Sequence, residues 1–93
     1  MIVALLSIEL FLPASGSLKD KRMVLRRVKD RLKAFNVAVA EVAHQDLWQR
    51  AGLGVVTVAT SEEMAGETLS SALGEIDRLE PGLVTHHQVE YLR

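Results

Sequence analysis

Ninety-three residues, 48% apolar and 25% charged, predict a single domain over residues 1–93: too short for two cores, too apolar for a disordered chain. The absence of cysteine excludes disulfides, thiolate metal centres and cysteine nucleophiles, and points to a cytoplasmic protein. The formal net charge is -1, yet eight of the eleven Lys and Arg residues lie between positions 17 and 33.

Residues 2–12 place an apolar side chain at every even position, from Ile2 through Leu12, as expected of a strand covered on one face. No basic residue precedes this run, Glu9 interrupts it, and it is too short to span a bilayer as a helix. It therefore reads as a buried strand, and no membrane partner is expected. After the turn "PASGS", residues 18–35 show helical spacing, with Leu18, Leu25, Val28, Leu32 and Phe35 on one stripe. Ser17 is the expected N-cap, Asp20 supplies a weaker capping box, and Asn36 ends the helix. "VAVAEV" reads as a second strand, "AHQDLWQRAG" as a polar connection and "LGVVTVAT" as a third strand. Ser61 caps a second helix, whose stripe is Ala65, Leu69, Ala72, Ile76 and Leu79. Gly66 and Gly74 each cost that helix up to about 1 kcal/mol relative to Ala, which suggests close approach to the sheet. "EPG" stops it, and "LVTHHQVEYL" forms a fourth strand.

The order β-α-β-β-α-β, with right-handed crossovers, puts both helices on one face of a four-stranded antiparallel sheet whose central strands are the first and third. The fold class is therefore α+β, a ferredoxin-like sandwich.

The segments "SLKDKR" and "AEVAHQDLWQRAGLGV", with their spacing, resemble the bacterial YlxP-like family, a domain of unknown function. The resemblance covers essentially the whole chain and implies a ferredoxin-like fold. The family's genes often sit among those for translation and ribosome maturation, which implies an RNA or ribosome connection. It carries no accepted catalytic residues. The matching positions here are Ser17, Leu18, Lys19, Lys21 and Arg22, then Glu41, Asp46, Trp48, Gln49 and Arg50.

Charge is separated along the chain. Residues 18–35 carry eight basic and two acidic side chains, whereas residues 61–80 carry six acidic side chains and one basic. On a helical wheel Lys19, Arg22, Arg26, Lys29 and Lys33 fall within about 80° of one another, beside the apolar stripe. Such a flank suits a phosphate backbone, whose counterions it releases. It also suits a solvated face with salt bridges to the acidic helix, or docking on another molecule's acidic helix. The leading expectation is an RNA- or ribosome-associated binding module using those five residues. The alternative is a protein-interaction or self-assembling module, a homodimer through the open sheet face or an edge strand, with no nucleic-acid role. Lys21 projects toward the apolar stripe, where it either snorkels outward or joins Arg22 in an anion site at the helix start.

Base stacking on the sheet is not expected. The first strand's outward residues are Val3, Leu5, Ser7, Glu9 and Phe11, with one aromatic at the strand end, and Glu9, Glu41 and Glu90 would repel phosphate. Between strands, Asp46, Trp48, Gln49 and Arg50 form a candidate loop site, with His44 nearby. The plainer alternative has Trp48 covering the sheet end while Asp46 and Arg50 pair. His86 and His87 alternate across a strand and cannot share a metal, so no metal is expected. No hydrolase triad, phosphate loop or cofactor motif is present. The chain therefore reads as a binding module without catalytic residues or cofactor, with an anion-binding enzyme built on Lys21 and Arg22 as the remote option.

Overall fold

A computed structural model describes residues 1–92. The elements are β1 (Ile2–Phe11), α1 (Leu18–Leu32), β2 (Ala38–Ala43), β3 (Arg50–Ala59), α2 (Glu62–Leu79) and β4 (Val84–Leu92). They build the expected ferredoxin-like α+β sandwich, with sheet order β2-β3-β1-β4 and every neighbouring pair antiparallel.

Strand parity decides which side chains meet the helices. Ala4, Leu6, Ile8 and Leu10 of β1 are buried, and their partners on β3 include Leu53, Val55 and Thr57. Leu25, Val28 and Leu32 of α1 join Ala65, Leu69, Ala72 and Ile76 of α2 to close the core over that face. The opposite face carries Val3, Leu5, Ser7, Glu9 and Phe11 from β1 and, in register, Val58, Val56, Gly54, Gly52 and Arg50 from β3. No helix covers it. Glu41 departs from expectation: it pairs with Leu53, so it faces the helices and not the open side, whereas Glu90, opposite Leu5, does face outward.

Two boundaries also differ. α1 ends at Leu32 because residues 33–36 tighten into turns, with Phe35 N–H donating to Leu32 O at 3.0 Å. Asn36 is then tied to β3: its carbonyl accepts from Thr57 Oγ1 at 2.7 Å. β3 begins at Arg50, earlier than the apolar run suggests, since "RAG" pairs with residues 9–11 of β1. Gly52 is required there. A Cβ would lie 2.7 Å from the Ala43 Cβ, where a bulge between Glu41 and Ala43 brings β2 close. Gly82, at φ 85°, makes the left-handed turn into β4.

Both N-caps act as read: Ser17 Oγ accepts from Asp20 N–H at 3.0 Å and Ser61 Oγ from Met64 N–H at 3.2 Å. Asp20 reaches one residue further back than a capping box would, accepting from Gly16 N–H at 3.0 Å. Gly66 does allow a close approach, by Tyr91, whose Oη is 2.8 Å from where a Cβ would stand. Gly74 does not; its nearest neighbour is 3.6 Å away.

Candidate nucleic-acid interface

α1 lies beside the edge strand β2, and its cations divide into two sets. Arg27 and Arg31 face α2. Arg31 Nη1 donates to Glu75 Oε1 at 3.1 Å, and Arg27 Nη2 lies 3.9 Å from Glu80 Oε2. Arg78 Nη2 adds a 2.8 Å bond to Glu75 Oε2. These two guanidiniums, Arg78 first and Arg31 second, hold the Glu75 carboxyl below its ordinary value. The seam between the helices is thus ion-paired, as a solvated, salt-bridged face would be.

The other set is the predicted flank. Lys19, Arg22, Arg26, Lys29 and Lys33 are all exposed. Lys33 pairs with Asp30 on its own helix at 3.1 Å. Among the described residues, Lys19, Arg22, Arg26 and Lys29 have no acidic partner. Arg22, Arg26 and Lys29 line a cleft of about 220 Å³ with Leu25 and Glu41. Lys29 and Lys33 line a second, of about 250 Å³, with Leu32, Val37 and Val39. Arg22, Arg26, Lys29 and Lys33 therefore overhang the β2 edge in a row; the helical rise from Lys19 to Lys29 is about 15 Å.

Lys21 leaves that row altogether. The residue is 1% exposed, and Nζ donates to the carbonyls of His44 (2.9 Å), Gln45 (3.2 Å) and Arg50 (3.3 Å). Glu41 Oε2 stands 2.9 Å away as its counter-charge. The geometry builds neither of the alternatives read for Lys21, outward snorkelling or an anion site with Arg22. Lys21 neither snorkels nor faces solvent, its four oxygen neighbours leave no place for an outside anion, and the Asp20 carboxylate already occupies the start of the helix. Glu41 and the His44 carbonyl are the partners that sequence reasoning missed. The available signal was a lysine on an apolar stripe, which demands a buried carboxylate or carbonyls nearby.

Two of these carbonyls, of His44 and Gln45, open the connection between β2 and β3 and the third, of Arg50, begins β3, so Lys21 pins both ends of that loop from beneath. His44 there takes φ 62°, uncommon for a non-glycine residue. Its Nε2 lies 3.1 Å from Glu9 Oε2, to which Arg50 Nη2 also comes within 3.7 Å. Arg50 thus pairs with Glu9 rather than Asp46, and Asp46 has no ion pair among the described residues. Nor does Trp48 cover the sheet end: it is 55% exposed. Trp48 lines a cavity of about 520 Å³ with Phe11, Leu47, Asp46, Gln49 and Arg50. All four loop-site candidates, Asp46, Trp48, Gln49 and Arg50, are brought together there, and Phe11 joins them from the end of β1.

On the open face, His86 stands opposite Glu9, while His87 pairs with buried Ile8 and so points to the other side. Among the described residues no cluster of three or more His, Asp or Glu side chains is placed to hold a metal ion, and no helix is long and apolar enough to cross a membrane.

The chain shares this fold with proteins of different origin. A de novo designed protein, Foldit4, matches 99% of it at TM-score 0.56 and 14% identity, over 96% of the designed chain. A putative antibiotic biosynthesis monooxygenase from Bordetella bronchiseptica matches 100% of it at TM-score 0.53 and 14% identity, over 97% of that chain. A designed protein and a putative enzyme on one architecture show that the fold alone assigns no chemistry. In sequence, the chain is 41% identical over 64 residues to the uncharacterized protein YlxP of Bacillus subtilis strain 168, covering 68% of this chain and 70% of YlxP. The family model described as "Protein of unknown function (DUF503)" matches residues 3–89. With nearly its whole length matched by that model, the chain belongs to DUF503, a YlxP-like family of unknown function.

Proposed function

We propose that this protein is a cytoplasmic binding module that associates with RNA, and through it with the ribosome, by laying the basic flank of α1 along a phosphate backbone. One observation carries the reading. Arg31 has an acidic partner on α2 and Arg27 has one in Glu80 just beyond its end, whereas Lys19, Arg22, Arg26 and Lys29 have none among the described residues, and the last three overhang an open strand edge. Intramolecular salt bridging thus accounts for the seam and leaves the outer row unexplained. From Lys19 to Lys29 the row rises about 15 Å along the helix, enough to contact successive phosphates and gain affinity by counterion release.

The second reading is a self-assembling or protein-interaction module without a nucleic-acid role. It rests on the open sheet face, where Val58 and Leu92 are exposed beside Val3, Leu5 and Val56. Such uncovered aliphatic surface suits a homodimer.

The test is anisotropy of a labelled single-stranded ribosomal RNA fragment across a salt series. The wild type is compared with the triple variant Arg22→Glu, Arg26→Glu, Lys29→Glu. Five contacts give a log–log slope near -3.5, at about 0.7 per single-strand phosphate. The triple variant should lose most of that slope along with the affinity. Equal binding by both proteins overturns the reading. A mass that rises with concentration in the absence of RNA supports the second.

A further inference from the structure

We infer that the cavity at Phe11 and Trp48 is a base-stacking subsite at the end of the basic flank, which makes the surface selective for single-stranded RNA. The inference rests on the RNA reading above and adds what that reading lacks, a way to distinguish a single strand from a duplex.

Three large apolar side chains, Phe11 (44% exposed), Leu47 (45%) and Trp48 (55%), converge on one concavity of about 520 Å³. None of them belongs to the buried core. The loop that holds Leu47 and Trp48 is nevertheless fastened on every side. Lys21 Nζ binds the carbonyls of His44, Gln45 and Arg50 from below. Leu47 N–H donates to His44 O at 3.0 Å, and Leu12 N–H donates to Gln49 O at 2.9 Å. Gln49 Nε2 donates to Pro13 O at 3.2 Å. The cavity is preformed, and a ligand entering it does not have to order the loop.

Its position gives the occupant. Lys21 sits between Lys19 and Arg22 on α1, so the loop it grips stands at the same end of the helix as those two cations. Phe11 and Arg50 belong to the open face of the sheet, so a backbone leaving the flank at this end must turn over the loop to bring a base to Trp48. There an unpaired base can stack on an aromatic face, while the Asp46 carboxylate can accept a hydrogen bond from a base amino group. A phosphate chain without bases has nothing to stack. A duplex keeps its base faces against one another and meets only the cations.

Trp48 is the sole tryptophan, so emission under tryptophan-selective excitation, which leaves Tyr91 silent, reports this cavity. The full chain is titrated with a single-stranded oligoribonucleotide, the duplex of the same sequence and inorganic polyphosphate, with anisotropy measuring binding in parallel. The single strand should quench Trp48, whereas duplex and polyphosphate bind without quenching. Trp48→Ala should weaken single-strand binding about tenfold to a hundredfold. Trp48→Phe, which keeps a stacking face, should recover most of that loss. Single-strand binding that leaves Trp48 unquenched and is unchanged in Trp48→Ala overturns the subsite while the basic-flank reading stands. Absence of binding by any of the three polyanions overturns both. A change in Trp48 emission with protein concentration alone overturns the subsite in favour of a second copy of the chain.

Discussion

The Nζ of Lys21 lies 2.9 Å from Glu41 Oε2 at the junction of α1, β2 and the loop that follows it. With three carbonyls also converging on that nitrogen, one buried lysine connects the basic helix to the loop that holds Trp48. Removing one partner of a buried charge pair is far more damaging than the net worth of the pair, because the other is left uncompensated. Lys21→Met strands a carboxylate and three carbonyls and should cost about 3 kcal/mol in urea denaturation. Glu41→Gln leaves the three carbonyl bonds intact and should cost less, about 1–2 kcal/mol. Trp48 emission should shift in Lys21→Met under native conditions, since the loop loses its anchor. A loss under about 1 kcal/mol with unchanged emission would contradict the anchoring role.

The two sets of α1 cations should separate in their phenotypes. Arg31→Ala removes an exposed pair to Glu75 and should cost at most about 1 kcal/mol, while RNA affinity changes little. Arg26→Ala, with no acidic partner to lose, should leave stability within about 0.5 kcal/mol of wild type. It should lower the salt slope of RNA binding by about 0.7. Parallel melting curves and salt titrations of the two variants check this. The opposite assignment of effects would place the RNA surface at the seam.

The seam also makes stability depend on pH. Arg78 and then Arg31 hold the Glu75 carboxyl below its ordinary value of 4.5. Because the folded-state value lies below the unfolded one, the unfolded chain binds the proton first on acidification. The contribution is therefore complete above pH 4.5 and is lost as pH falls through the lowered folded value. Denaturation midpoints measured from pH 7 downward should fall more gently in Glu75→Gln than in wild type. Identical slopes would show that the guanidiniums do not favour the charged carboxylate.

The two glycines of α2 should respond differently to alanine. Gly74 has only ordinary contacts around its missing Cβ, so Gly74→Ala should stabilise by about 0.5–1 kcal/mol through helix propensity. At Gly66 a Cβ would meet Tyr91 Oη at 2.8 Å, so the tyrosine must leave its place on the helix. Gly66→Ala should melt at or below wild type. Equal gains at both sites would show that the Tyr91 contact contributes nothing.

The pattern of the chain by itself determined six elements, their order, the buried stripes and both N-caps, because period 2, period 3.6 and capping chemistry are local properties. It also located the five-cation flank, since an angle on a helical wheel needs no tertiary information. Contacts between elements were decided only by the fold. A wheel placed Lys21 on the buried side of α1 without saying that Glu41 and the carbonyls of His44, Gln45 and Arg50 wait there, 20 or more residues away in sequence. Parity along β2 and β3 was open until pairing set it, which sent Glu41 toward the helices and Val56 and Val58 outward. The polar letters of "QRAG" concealed the start of β3, because a residue paired at a close approach needs smallness, not hydrophobicity. Which arginines meet α2 and which face solvent, and whether Trp48 packs inward or stands over a cavity, depend on how two helices and a loop settle on one sheet. That arrangement minimises exposed apolar area and unpaired charge over the whole molecule, a global condition that local periodicity does not contain.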